Sequence, residues 1–492
     1  MSDPIPIGAR VAWLARERGS RPAVTDADRT VTWRELDERS NRLARALEGV
    51  GVRQGDLVTV GLPNSVDFVE ACYGLWKLGA TPQPISHRLP LAEAEAVMEL
   101  AKTPILIAHA ALESDRPRYD IGALLALSDD DSPVAERTAP IWKAPTSGGS
   151  TGRPKLILAG GPGVFTESDG IGPYRTGPDD TLIMPGPLYH NGPFTSSFGG
   201  LGQGGHLVIL PRFDAEETLK AVERHRGTWM YLVPTMMSRI WRLPVETRAR
   251  YDVSSLRTVW HLAAPCPPWL KEAWIEWLGA DVIMELYAGT EALAVTIITG
   301  SEWLAHRGSV GQVKVGEMAV FDEAGKSLPT GEIGEIYMRR PQGAPPTYAY
   351  RGATPRTLPG GWESLGDIGS FDDEGYLYLA DRRADMILVG GSNVYPAEIE
   401  AALDEHPLVA SSAVIGLPDE DLGNLIHAIV QPRPGLSIEA LREHVAARLV
   451  RYKQPRSYEL VTENIRDDAG KVRRSQLREE RVARVSAAAG AG

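Results

Sequence analysis

Cysteine is nearly absent: Cys72 and Cys266 are the two in 492 residues, far apart and in mostly apolar surroundings. That argues against a disulfide framework or a zinc site and makes a reducing compartment the default, so a cytoplasmic location is expected. No apolar run approaches the roughly 18 residues of a membrane-spanning helix. The opening MSDPIPIGARVAW lacks the basic-then-apolar pattern of a signal segment. Excess positive charge is missing as well, since 52 Lys and Arg face 64 Asp and Glu for a net charge of −12. Basic tracts are short, which argues against a dedicated nucleic-acid binder. Internal repeats and low-complexity segments are also lacking.

What is present is ordinary for a soluble globular chain of two or more domains, with 43% hydrophobic and 24% charged residues. Helix, short strands and helix are expected over residues 8–50. Thr32 is the N-cap of the second helix and Glu35 closes a capping box. DLVTVGL at 56–62 reads as a buried strand and Asn64 to Leu78 as a helix. From 181 to 290, short apolar strands alternate with helix-length segments, the pattern of a parallel sheet buried on both faces. After about residue 305 short strands and Gly-Asp turns take over, and from about 386 the chain returns to a compact α+β texture with a helix from Pro396 to Asp404.

Four stretches carry chemistry. SGGSTGRPK, Ser147 to Lys155, packs glycines, hydroxyls and a lysine into nine positions. Such a loop can approach an anion closely and offer N–H groups, hydroxyls and a point charge to phosphate oxygens. Its spacing is not that of a Walker loop. Tyr287-Ala288-Gly289-Thr290-Glu291 follows the strand DVIMEL and places a carboxylate where it could hold Mg²⁺ on phosphates. Ser364-Leu365-Gly366-Asp367 precedes GYLYLADRRADMILVGG, and Asp367 and Arg382 could take a ribose from two sides. Asp468-Ala469-Gly470-Lys471-Val472-Arg473-Arg474 lies near the C-terminus; alone it reads as a solvated charge run.

In this order the four stretches resemble the adenylate-forming family of acyl-CoA synthetases, adenylation domains and luciferases, over nearly the whole chain. The departures are Gly148 where Ser is common, Ala288 for Gly, Leu365 for Thr, and Ala384 where the hinge is usually Asp or Lys. The resemblance implies an α/β fold: a large N-terminal domain (1–382) of mixed and parallel sheets flanked by helices, with a small β-rich subdomain at about 305–382, and a small mobile α+β C-terminal domain (383–492). It implies that Ser147, Gly149, Ser150, Thr151, Gly152 and Lys155 lie over the β- and γ-phosphates, that Thr290 touches the α-phosphate and that Glu291 holds Mg²⁺. Tyr287 and Ala288 would flank the adenine and the acid, and Asp367 and Arg382 would bind the ribose. Lys471 would be the lysine of adenylation, His190 would stand by the acyl pocket, Gly390 and Gly391 would line the pantetheine entry, and Ala384 would be the hinge.

The implied activity is ATP-dependent carboxylate–CoA ligation, with ATP, Mg²⁺ and coenzyme A as cofactors and a small carboxylic acid as partner. Loading of a separate carrier protein, transfer to another nucleophile, and a non-catalytic nucleotide-binding relative are the alternatives; a homodimer is one allowed assembly. Around the implied acyl pocket stand Trp260, His261, Ala263, Ala264 and Ala292, with no obvious Lys or Arg for a second charge. That composition favours an apolar aromatic or polycyclic, steroid-like acid over a plain fatty acid.

Overall fold

The computed structural model describes residues 4–109, 114–148, 154–166, 174–389, 392–419, 422–468 and 470–489, with the side chains of 147, 148 and 485–489 outside the description. The expected parallel sheet is there. Pro22–Thr25, His206–Ile209, Thr181–Met184, Trp229–Leu232, Thr258–His261 and Ile283–Ala288 run parallel in that spatial order. Helices Asn191–Gln203, Ala215–His225, Pro234–Trp241 and Pro268–Leu278 connect or flank them. Trp229–Leu232 and Thr258–His261 are buried along their whole length, which is why their sequence shows no alternation.

Six strands after residue 290 are antiparallel and continue the same sheet: Val295–Thr299, Ser309–Val315, Tyr376–Arg382, Trp362–Phe371, Gly334–Arg339 and Glu317–Phe321 follow Ile283–Ala288 in order. They cover a core of their own that includes Val310, Val320, Ile336, Met338 and Leu377. A second parallel sheet is built on Leu57–Gly61, and a three-stranded antiparallel sheet joins Thr146–Gly148, Pro154–Ala159 and Tyr348–Arg351. Beyond Ile387 the chain forms separate cores around Val409–Asp419, Gly423–Pro432 and Ser457–Leu460. Among the described residues no helix is long and apolar enough to cross a membrane.

Local signals behave as their chemistry requires. Thr32 caps Trp33–Gly49 and Glu35 returns the bond, completing the capping box. Helix Val66–Leu78 is capped by Ser65, not Asn64. Asn64 bonds at longer range instead. Its amide donates to the carbonyls of Gly186 at 2.8 Å and Leu210 at 3.1 Å, and its carbonyl oxygen accepts from Leu188 N at 2.8 Å. It thereby fixes the segment that delivers His190.

Candidate active site

Glu291 is the buried centre of the site. It follows the last strand of the parallel series, where the chain leaves the sheet through Gly289 and Thr290. Tyr350 donates its hydroxyl to Glu291 Oε1 at 2.5 Å, and Lys155 Nζ lies 3.6 Å from the same oxygen and 4.0 Å above the Tyr350 ring. Thr347 Oγ1 donates to the Glu291 carbonyl at 2.6 Å. The strand carrying Tyr350 pairs with the strand carrying Lys155, so one small antiparallel sheet supplies both partners. Burial lowers the Lys155 pKa, and Glu291 opposes that shift. Gly289 is required by its neighbours: a Cβ there would lie 2.2 Å from Leu365 Cδ1 and 2.7 Å from Glu291 Oε2. Tyr350 and Thr347 were not singled out by sequence; the alternating TYAYR was the available signal.

Asp367 and Arg382 stand opposite each other in register on adjacent antiparallel strands. Tyr287 Oη donates to Asp367 Oδ2 at 2.7 Å, and Arg382 Nε lies 3.3 Å from Oδ1. Asp367 raises the pKa of Arg382, while burial and then Asp367 push the Tyr287 phenol well above its ordinary value. A carboxylate fixed in this way can still accept hydroxyl protons on its free lone pairs.

Lys471 reaches the same cleft from near the C-terminus. Its turn closes through Gly470 N to Asp467 O at 2.9 Å and Lys471 N to Asp467 Oδ1 at 2.9 Å. Gly470 has φ +77°, and a Cβ there would meet Thr235 Oγ1 at 2.5 Å, so glycine lets the turn dock on the large sheet unit. Burial within the cleft lowers the Lys471 pKa, Arg382 adds to this, and Asp467 and Glu291 oppose it. Three arginines hold the turn's own unit in this position. Arg242 donates to the carbonyls of Val409 and, at 2.6 Å, Asp404; Arg88 meets Asp468 at 3.2 Å; and Arg473 meets Glu93 at 3.5 Å.

Ala384 carries no polar side chain, and its neighbours make the contacts instead. Arg383 pairs with Glu335 at 2.7 Å on the large unit, while Asp385 pairs with Arg474 at 2.8 Å, which also meets Glu400 at 2.8 Å.

His190 precedes helix Asn191–Gln203 and packs its ring 4.4 Å from that of Tyr189. Burial, with Lys471 adding, lowers its pKa to about 3, so it is neutral at ordinary pH. Trp260 pairs across the sheet with Tyr231, and its Nε1 donates to the Tyr174 carbonyl at 3.0 Å. A Cβ on Gly192 would meet Tyr231 Oη at 2.7 Å and Leu262 Cδ1 at 3.3 Å, so this helix faces the same side as Trp260. His261, next along the strand, points to the opposite face. There it is fully buried, in register with Glu285, which forms a buried ion pair with Lys271. The structure therefore puts His261 and Trp260 on opposite faces of the sheet, a distinction hidden by an unbroken apolar strand. Ala263 and Ala292 adopt left-handed backbone, φ 75° and 53°, and both are exposed, with Ala264 and Ala288 half-buried.

The structure also shows a buried cation, bonded to the helix that follows His190. Lys143 is buried, donates to Thr195 Oγ1 at 2.7 Å and to Asn191 Oδ1, and lies 4.3 Å from the Trp142 ring. Ser147 lies opposite Lys155 in its hairpin. Gly149, Ser150, Thr151, Gly152, Gly390 and Gly391 lie outside the described residues. Among the described residues no cluster of three or more His, Cys, Asp or Glu could hold a metal. A lone buried carboxylate such as Glu291 fits a hard Mg²⁺ that arrives bound to phosphates, not an all-protein metal cage.

Comparison with known proteins gives this geometry a context. Residues 11–348 match the family described as AMP-binding enzyme, and 398–471 match the AMP-binding enzyme C-terminal domain. A (methyl-dioxo-octahydroindenyl)propanoyl:CoA ligase of Rhodococcus jostii (strain RHA1) is 30% identical over 95% of this chain and 97% of its own length. A feruloyl-CoA synthase of an Amycolatopsis species is 30% identical over 95% and 98%. The crystal structure of the anthranilate CoA ligase AuaEII with anthranoyl-AMP superposes with a TM-score of 0.83 at 24% identity, covering 99% of both chains.

Proposed function

The chain belongs to the AMP-binding enzymes, and on that footing we propose that it joins a carboxylic acid to coenzyme A at the expense of ATP, as an AMP-forming acid–CoA ligase. ATP, Mg²⁺ and coenzyme A are its cofactors. The observation that carries the reading is the convergence of Lys471, Arg382, Glu291 and His190, drawn from distant parts of the chain, on one cleft, where Arg382 and Glu291 act on the charge of Lys471 and Lys471 acts on that of His190.

In the first step a carboxylate oxygen of the acid attacks the α-phosphorus of ATP; a new P–O bond forms as the bond to pyrophosphate breaks. Both reactants are anions, so positioning and charge stabilisation dominate. Lys471 would bridge the α-phosphate and the carboxylate, Thr290 would touch the α-phosphate, and Lys155 with the Ser147 loop would hold the outer phosphates. Glu291 would hold the Mg²⁺ that accompanies ATP and screens its phosphates. Asp367 and Arg382 would bind the ribose, and Tyr287 and Ala288 would flank the adenine. In the second step the thiol attacks the acyl carbon, a C–S bond forms, AMP leaves with the C–O electrons, and the thiol proton passes to solvent. Before that step the unit beyond Arg382 would turn about Ala384, withdrawing Lys471 and presenting the Gly390–Gly391 segment.

The acid we propose is aromatic or polycyclic. Support comes from relatives whose names specify an octahydroindenyl propanoyl group and a feruloyl group. A cytoplasmic location and a homodimer are further proposals, read by fractionation and light scattering. The test is pyrophosphate release with ATP and Mg²⁺ over a panel of aryl, polycyclic and fatty acids, with and without coenzyme A, and mass detection of products. A thioester with one acid class is expected; adenylate with no thioester would redirect the second step to another nucleophile.

A further inference from the structure

Lys143 is costly where it stands. Its side chain is buried, with the residue 7% exposed. No carboxylate among the described residues pairs with it, and its two hydrogen-bond partners, Asn191 and Thr195, are neutral. Those partners lie in the first turns of helix Asn191–Gln203, the end where the backbone dipole disfavours a cation. Burial brings the amine down to about 7. A structural tether between this helix and the preceding strand needs only a neutral donor. A lysine has three donors, and among the described residues two of them are used.

The position of the helix says where that donor can go. Asn191, Gly192, Thr195 and Gly199 form a half-buried stripe at helical spacing. A Cβ added to Gly199 would meet nothing within 4 Å, and Gly192 abuts Tyr231 and Leu262 on the Trp260 side of the sheet. The stripe thus runs from the packed contact at Gly192, beside the groups assigned above to the acyl pocket, to open space at Gly199, and Lys143 bonds to it in between, at Asn191 and Thr195.

We propose that Lys143 is a specificity-determining residue: its ammonium donates to an oxygen acceptor, a ring ketone or carboxylate, carried by the otherwise apolar body of the acid substrate. The inference rests on the acid-binding reading given above, and it narrows that reading from an apolar acid to one bearing a second oxygen. A hydrogen bond from a charged donor is worth about 1.5–3 kcal/mol, so the acceptor-bearing acid is favoured about ten- to hundred-fold over its deoxy counterpart.

The test measures binding to the full chain by calorimetry in the presence of AMP, with two matched pairs. These are 3-(4-oxocyclohexyl)propanoate against 3-cyclohexylpropanoate, and a keto-decalinyl propanoate against its decalinyl analogue. At least one ketone is expected to bind ten-fold or more tightly than its partner. Lys143→Met is expected to bring that ratio towards one. Equal weakening of both members, which a merely structural role would give, leaves the ratio unchanged and overturns the proposal. So does a wild-type ratio near one, or failure of both ketones to bind. A second reading needs no variant: the wild-type ratio should fall from pH 6 to 9 as the amine loses its proton, and a flat ratio also overturns the proposal. The ketones do not titrate in that range, nor do Trp142, Asn191 and Thr195, and burial keeps His190 neutral throughout it. Pyrophosphate release, measured separately, reads the ligase function, so failure of one assignment is distinguishable from failure of the other.

Discussion

The phenol of Tyr287 donates to Asp367 Oδ2 at 2.7 Å across a chain separation of eighty residues. The bond ties the end of the parallel strands to the antiparallel pair that carries Arg382. If Asp367 holds the ribose, Asp367→Ala raises the KM for ATP about ten- to hundred-fold, the cost of a hydrogen bond to a charged group. Tyr287→Phe removes only the positioning bond and raises it a few-fold. Pyrophosphate release against ATP concentration checks both, with kcat moving less than KM.

Lys471→Ala separates the two half-reactions. Adenylation is expected to fall about 10²-fold or more. Thioester formation from supplied acyl-adenylate survives, because the lysine would be withdrawn for that step. Equal loss of both rates would contradict the assignment.

Tyr350 places its hydroxyl 2.5 Å from Glu291 and its ring 4.0 Å from the Lys155 ammonium. Tyr350→Phe keeps the ring contact and frees the carboxylate to turn towards Lys155. The Mg²⁺ concentration giving half-maximal pyrophosphate release is expected to rise several-fold, with the folded stability little changed.

Arg242 makes its contacts with residues 404 and 409 in the arrangement that brings Lys471 into the cleft. Arg242→Ala is expected to slow adenylation about ten-fold and to leave the thioester step from supplied acyl-adenylate as fast or faster. Single-turnover measurements of the two steps check this.

Lys143 also predicts a pH dependence of stability. The native amine releases its proton near 7, the unfolded one near the ordinary 10.5. Between those values the unfolded chain binds more protons, so this group's contribution to stability rises with pH. Below about 7 the cost of the buried charge is fully present. Lys143→Met should therefore stabilise the protein most at low pH, with an advantage in melting temperature that shrinks from pH 7 to 10.

Much of this was legible in the residues themselves. The Thr32–Glu35 capping box and the helix Pro396–Asp404 were marked by local chemistry, and local chemistry survives folding. Glu291, Asp367, Arg382 and Lys471 were found through the order of their motifs, and the structure brings them to one cleft. What sequence did not reveal depended on orientation. Trp260 and His261 stand in a strand buried on both faces, where no alternation reports which side chain faces which layer. Lys143 looked like one lysine among many because its burial comes from a helix about fifty residues later. Asn64 was counted into the helix it precedes, because its distant acceptors at Gly186 and Leu210 are invisible along the chain.

The grip of Arg242 has one more consequence. Both of its acceptors are main-chain carbonyls, at Asp404 and Val409. No substitution at 404 or 409 can delete a carbonyl, so drift in the side chains there leaves the attachment intact. What the arginine reads is whether a helix end and a strand start have been brought together. Its hold depends on the correct local fold of the small unit, and an incompletely folded one would dock loosely whatever its sequence.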